Sequence, residues 1–222
     1  MKAALLQAAV PNVAFDGWTP ATFQAAIDDS GIDAVIAKSV CPRGALDLAV
    51  AFHEQGDDDM MVAYRKIDTS NLRIREKVTL AARLRLEAAT DKECVRRGTT
   101  LFALPQNAAE GAKLIWGTAD AIWTVLGDTS GDLNWYTKRA TLSAVYGSTV
   151  LFWLGDDSSD HSATWDFLDR RIENVMQFEK AKAQANANPV LSKILAGPNW
   201  LASQVKRPPT MSKMKMPGQG FH

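Results

Sequence analysis

TPATFQAAIDDSGIDAVIAKSV, residues 19–40, decides how the rest of this 222-residue chain is read. Thr19 precedes Pro20, a pairing that starts helices: the hydroxyl can cap a free backbone N–H, and a proline ring is tolerated at the first helical position. The pattern runs to Gly31, a stop signal, and a short segment then ends at Cys41 and Pro42. Helix, tight glycine turn and short helix together are the outline of a helix-turn-helix.

Outward from it, helical periodicity continues and no alternating β-branched run bounded by turns occurs, so the predicted fold class is all-α. Upstream, Leu5, Leu6, Ala9 and Val13 form one apolar stripe, broken by FDGW at 15–18. Downstream, helices are predicted at about 43–66, 70–89, 91–104, 108–126, 133–154 and 162–181. GDTSGD at 127–132 is a turn cluster, with Asp132 placed to cap the following helix. VLFWL at 150–154 is apolar on every side, which predicts burial of that helix end. Trp165, Leu168, Ile172 and Val175 follow a 3-4-3 seam suited to a neighbouring helix, including one from a second subunit. GDDDM at 56–60 reads as a solvated acidic face. The predicted units are 1–66, a helix-turn-helix-like part; 67–182, a helical body; and 183–222, a linker, amphipathic helix and tail.

Charge is balanced overall, 25 Lys and Arg against 25 Asp and Glu, but unevenly spread. Residues 1–53 carry three cations against five carboxylates, whereas 186–222 carry five cations and no acid. Phosphate binding needs Lys or Arg, and the candidate recognition segment offers only Lys38, opposed by Asp33 and preceded by Asp28 and Asp29. Those acids argue against nucleic acid as a partner. The 186–222 segment alternates Leu191, Ile194, Leu195, Trp200 and Leu201 with Lys193, Lys206 and Arg207, the make-up of a membrane-surface helix. Cys41 and Cys94 lack ligand-spaced partners, which fits packing thiols in a reducing, cytoplasmic setting and no metal site. His53, His161 and His222 are scattered, and no nucleophile with an evident base, phosphate loop or metal motif occurs. The expectation is a non-enzyme without a cofactor.

NWYTKR at 134–139 places Trp135 and Arg139 on one helical face and Tyr136 on the adjacent one. Two readings arise: a core or stacked Arg–Trp pair, or a partner surface rich in the residue types of interface hot spots. Leu80, Leu84, Leu101, Phe102, Ile115, Trp116 and Phe152 either close a solid core or line a cavity. Residue types alone do not separate these.

From Asp120 to Phe167 the chain resembles the ninth coenzyme Q biosynthesis family, the ubiquinone-pathway accessory proteins, in bacterial form. The matching residues are Asp120, Trp123, Gly127-Asp128, Ser130, Asp132, NWYT at 134–137, Arg139-Ala140, Leu142, Tyr146, Thr149, Asp156, Ser158, Thr164-Trp165 and Phe167-Leu168. The resemblance implies a TetR-regulator-like fold, a homodimer, no catalysis, and attachment at the inner membrane surface. It further implies an isoprenoid lipid or quinone held in the body and presented to a di-iron hydroxylase. On that footing Trp135, Tyr136 and Arg139, with Ile122 and Trp123, are expected to contact the hydroxylase. Leu80, Leu84, Leu101, Phe102, Ile115, Trp116 and Phe152 are expected to face lipid, and Leu191, Ile194, Leu195, Trp200 and Leu201 the membrane. The alternatives are a TetR-like regulator that senses a hydrophobic ligand, and an interaction module with no cavity.

Overall fold

The computed structural model describes residues 1–187 apart from Thr90 and Asp132. The predicted Asp132 cap and the expected membrane contacts Leu191, Ile194, Leu195, Trp200 and Leu201 lie outside the described residues. Among those residues the fold is nine α-helices with no strand: α1 (Lys2–Asp16), α2 (Pro20–Ser30), α3 (Ala34–Val40), α4 (Ala45–Arg65), α5 (Ile74–Glu87), α6 (Lys92–Ala103), α7 (Ala108–Val125), α8 (Leu133–Leu154) and α9 (Ser162–Ala187).

The local chemistry of 19–40 works as read. The Thr19 hydroxyl accepts from the Thr22 amide, Pro20 opens α2, and Gly31 closes it in the left-handed region at φ 64°. The Asp33 carboxylate caps α3, accepting from the amides of Val35 at 2.8 Å and Ile36 at 3.3 Å. Leu5, Leu6, Ala9 and Val13 are all buried, facing Phe23, Ala26 and Ile27 of α2 and Leu48 of α4 in one apolar cluster. Cys94 of α6 joins that cluster, and Leu101 and Phe102 pack against it, so the first core draws on the chain well beyond residue 66.

The second core lies between α4, α5, α7, α8 and α9, where Met60, Tyr64, Val78, Ile122, Leu142, Leu168 and Ile172 meet. Helix α4 spans both cores: its first half gives Ala45, Leu48 and Ala49 to one, and its second half Met60 and Tyr64 to the other. The 162–181 seam is satisfied within the chain, since Leu168 and Ile172 are buried and Trp165 and Val175 pack against the same cluster.

Two expectations need correction. VLFWL is not buried throughout, for Leu151 is 62% and Phe152 38% exposed. Helical spacing turns Tyr146, Val150, Trp153 and Leu154 inward and leaves 151 and 152 outside. Phe152 instead stacks on Phe167 of α9, ring centroids 4.5 Å apart and 11° from parallel. Nor is GDDDM wholly solvated. Gly56 and Met60 are buried, and Asp57 turns inward to pair with Arg85, at 2.5 Å from its Nε.

Candidate functional site

The first candidate site is the junction of α7 and α8. Arg139, one turn into α8, is 2% exposed. Its Nε donates to Asp120 Oδ1 at 2.5 Å, and one terminal nitrogen donates to Asp128 Oδ2 at 3.1 Å and to the Trp135 carbonyl at 3.2 Å. Lys138 closes the other side of Asp128, its Nζ donating to Oδ1 at 2.8 Å and to the Ser130 hydroxyl at 2.7 Å. Burial works against ionisation of Asp128, but the hydrogen bonds from Lys138, Ser130 and Arg139 outweigh it and hold the carboxyl well below the usual carboxylate range.

This charged base carries an aromatic layer. The Arg139 guanidinium carbon lies 4.0 Å from the Trp135 ring centroid, a cation–π contact. Trp135 meets Tyr136 edge-on at 4.8 Å, and Trp116 of α7 completes the group at 6.0 Å from Trp135 and 6.4 Å from Tyr136. Trp123 is held by its indole N–H, which donates to the Lys138 carbonyl at 3.2 Å, and by Lys138 Nζ 5.0 Å from its ring. Trp135, Tyr136, Trp116 and Trp123 are half-buried, so each keeps a face toward solvent. Arg139 and Ile122, also expected at that contact, are buried: the guanidinium bonds two carboxylates beneath the rings, and Ile122 lies in the second core.

The second candidate site is a pair of cavities in the body. The larger, about 600 Å³, lies between α5, the 127–130 turn, α8 and α9; Val78, Leu142, Val145, Ile172 and Met176 line it, with Asp128, Ser130 and Lys138 at one edge. The smaller, about 400 Å³, lies between the first core and the cluster of Leu86, Tyr146, Val150 and Trp153, lined by Trp18, Phe52, Phe102, Ile115, Val150 and Trp153 together with His53, Arg85 and Tyr146. Of the residues expected to face lipid, Phe102 and Ile115 line the smaller cavity. The others line neither cavity. Leu101 packs on the first core, Leu80 and Leu84 pack on the second, Trp116 belongs to the aromatic layer, and Phe152 faces outward. Residue type identified apolar bulk; which side of its helix each residue occupies decided the rest. Sequence reading missed Asp128 as the anchor of the aromatic layer, although the pairing of one arginine with acids upstream in the same matched stretch was a usable signal.

The segment that contains the aromatic layer and its charged base is also where known proteins match. Residues 108–179 fit the COQ9 family model. That segment is similar to the COQ9 family. The chain is 31% identical over 191 residues to the protein of Dictyostelium discoideum named "Probable ubiquinone biosynthesis protein coq9, mitochondrial", and the match takes in 82% of this chain and 62% of that one. The Drosophila melanogaster ubiquinone biosynthesis protein COQ9 is 28% identical over 189 residues, 83% of this chain and 58% of its own. The human COQ9 matches over 91 residues at 35%, 41% of this chain and 29% of its own. The chain therefore spans about three fifths of the two relatives that match most of it. These matches bear out the resemblance drawn from Asp120 to Phe167.

The fold likeness is separate. The crystal structure of the TetR transcriptional regulator from Nitrosomonas europaea superposes with a TM-score of 0.64 at 16% identity, over 78% of this chain and 96% of that one. The all-α, TetR-like fold expected around the COQ9-like segment is the fold observed. Among the described residues, no group of His, Cys, Asp and Glu is arranged to hold a metal, and no helix is long and apolar enough to cross a membrane.

Proposed function

We propose that this chain is a non-catalytic, lipid-binding accessory protein of ubiquinone biosynthesis, which shelters an isoprenoid quinone intermediate and presents it to a di-iron hydroxylase at the inner membrane. One observation carries this reading: the body contains an apolar cavity of about 400 Å³, inside the size range of small-molecule sites, with expected lipid contacts Phe102 and Ile115 on its wall. The names of the relatives support the pathway. The physical rationale for a carrier is the cost of apolar surface in water, roughly 0.8 kcal/mol for each methylene.

In this mechanism the half-exposed faces of Trp135, Tyr136 and Trp123 dock the hydroxylase, and Arg139 and Asp128 hold those rings in place from below. The exposed Leu151 and the Phe152–Phe167 stack supply an apolar surface for a second copy of the chain, giving the homodimer. The basic, apolar segment around Leu191–Leu201 attaches the assembly to anionic lipid. The test is organic extraction of the purified full chain followed by mass spectrometry. A polyprenylated aromatic or quinone species at near-stoichiometric amount is the expected result; protein free of such lipid after purification from quinone-producing cells would overturn the reading.

The alternative, a ligand-sensing regulator, is favoured by the superposition on the TetR protein. The exposed face of α3 opposes it: Val35 is 76% and Ile36 43% exposed, and Lys38 is the sole cation of that helix. Tight, salt-sensitive retardation of random duplex DNA would restore it.

A further inference from the structure

Five polar side chains cluster at the smaller cavity: His53 of α4, Arg85 of α5 and Tyr146 of α8 line its wall, and Asp57 of α4 and Thr118 of α7 are bonded to them. Arg85 Nε donates to Asp57 Oδ1 at 2.5 Å, and its Nη2 donates to the His53 carbonyl at 2.8 Å. The Thr118 hydroxyl lies 2.8 Å from Asp57 Oδ1, 2.8 Å from His53 Nε2 and 3.3 Å from the Leu114 carbonyl. The arrangement is built for close contact. A Cβ at Gly56 would stand 2.5 Å from a guanidinium nitrogen, so glycine alone lets Arg85 lie against α4.

Packing does not require such a cluster. Thr118 is fully buried, Tyr146 is 2% and Arg85 5% exposed, and a buried ion pair seldom stabilises a fold better than apolar residues of the same volume. The placement of the unspent groups is informative. His53, Arg85 and Tyr146 line the cavity, and of the five N–H groups of a guanidinium Arg85 commits one each to Asp57 and to the His53 carbonyl. The cluster also has no net charge. Asp57 offsets Arg85, while burial and the neighbouring guanidinium push the imidazole down to about 3, which keeps it neutral at physiological pH. A carboxylate or phosphate entering here would lose its hydration and meet no excess positive charge. An uncharged oxygen acceptor meets N–H and O–H donors at much lower cost. The same cavity is also lined by Phe102, Ile115, Val150 and Trp153, which offer mainly apolar surface.

We infer that the Arg85–His53–Tyr146 wall is a head-group site, which hydrogen-bonds the carbonyl oxygen of an uncharged lipid ring and rejects anionic lipid heads. This deepens the carrier reading and rests on it for the entry of a lipid. The site does not overlap the aromatic layer of Trp135, which stands on the opposite end of α8.

The test uses the delipidated full chain and titration calorimetry with three probes sharing a three-isoprene tail: a 1,4-benzoquinone, the plain alcohol and the carboxylate. The quinone should bind about tenfold tighter than either of the others, equivalent to about 1.4 kcal/mol. His53→Gln and Thr118→Val each keep side-chain volume close to native and should erase most of that preference, leaving alcohol binding within about twofold. Arg85→Met should do the same if circular dichroism shows it folded; the other two variants suffice if it is not. Equal binding of quinone and alcohol, preference for the carboxylate, or an undiminished quinone preference in His53→Gln and Thr118→Val would overturn the head-group site while leaving the carrier reading intact. Failure of all three probes to bind would overturn both.

Discussion

The helix-turn-helix and the α7–α8 junction each expose large side chains on a helix, but they support them differently. On α3, Val35 and Ile36 stand exposed on a seven-residue helix whose only cation is Lys38. On α8, Trp135 and Tyr136 rest on Arg139, which is fixed between Asp120 and Asp128. The short helix of the helix-turn-helix outline thus offers one cation, while a charge-backed aromatic surface stands on α8. Fold likeness to a regulator and the place where the chain works are separate matters.

The contrast breaks most readily at Arg139. Arg139→Met removes the partner of a buried carboxylate at Asp128 and the cation under Trp135, so unfolding in urea should show a loss of about 3 kcal/mol. Lys38→Met on α3 should change stability by less than about 0.5 kcal/mol in the same assay. Equal effects would mean that the two surfaces are not supported differently.

Acid should act next. His53 of α4, on the wall of the smaller cavity, has its pKa lowered to about 3 by burial and by Arg85, against about 6.5 in the unfolded chain. The unfolded state therefore binds a proton that the folded state refuses, and stability falls as pH drops from 6.5 toward 3. Between pH 6.5 and 4.5, above the main carboxylate range, the expected loss is about 2 to 3 kcal/mol, and His53→Gln should flatten it. Asp128 has the opposite sense. Its depressed pKa gives stability that is present above about pH 4 and lost only as pH falls through the lower folded value, so the aromatic layer should outlast the His53 network on acidification. Near-ultraviolet circular dichroism against pH measures both.

A smaller effect is expected at the cap of α3. Asp33→Ala removes the acceptor for the amides of Val35 and Ile36 and should cost about 1 kcal/mol, with no effect on lipid or enzyme binding.

The fold was legible where signals are local. Thr19, Pro20 and Gly31 mark helix ends by chemistry that acts within four residues, and the Leu5, Leu6, Ala9, Val13 stripe needs only the helical period. The site was legible in part. The sequence placed Trp135 and Arg139 on one face and their stacking is observed, but residue type suggested that both reach outward, and Arg139 turned out to be pinned by carboxylates 11 and 19 residues upstream in the chain. Such pairing depends on how α7 and α8 cross. Leu151 and Phe152 were misread because a continuous apolar run carries no phase, and only the neighbouring helices decide which side is covered. The cavities are less legible still. The wall of the smaller joins α4 and α6 to α5, α7 and α8, and that of the larger joins α5 to α8 and α9; an absence of atoms between distant helices has no sequence pattern. Asp57 looked like one acid among three; its partner Arg85 is 28 residues away.

The central claim is that the working surface lies on α8 and not on α3. The most direct measurement is the affinity of the full chain for the pathway's di-iron hydroxylase, compared between Trp135→Lys and Val35→Lys, each verified as folded by its thermal transition. The account predicts a loss of about a hundredfold or more for Trp135→Lys, the scale of an interface hot spot, and a change of less than about twofold for Val35→Lys. Unchanged affinity for Trp135→Lys, or an equal loss for Val35→Lys, would contradict it.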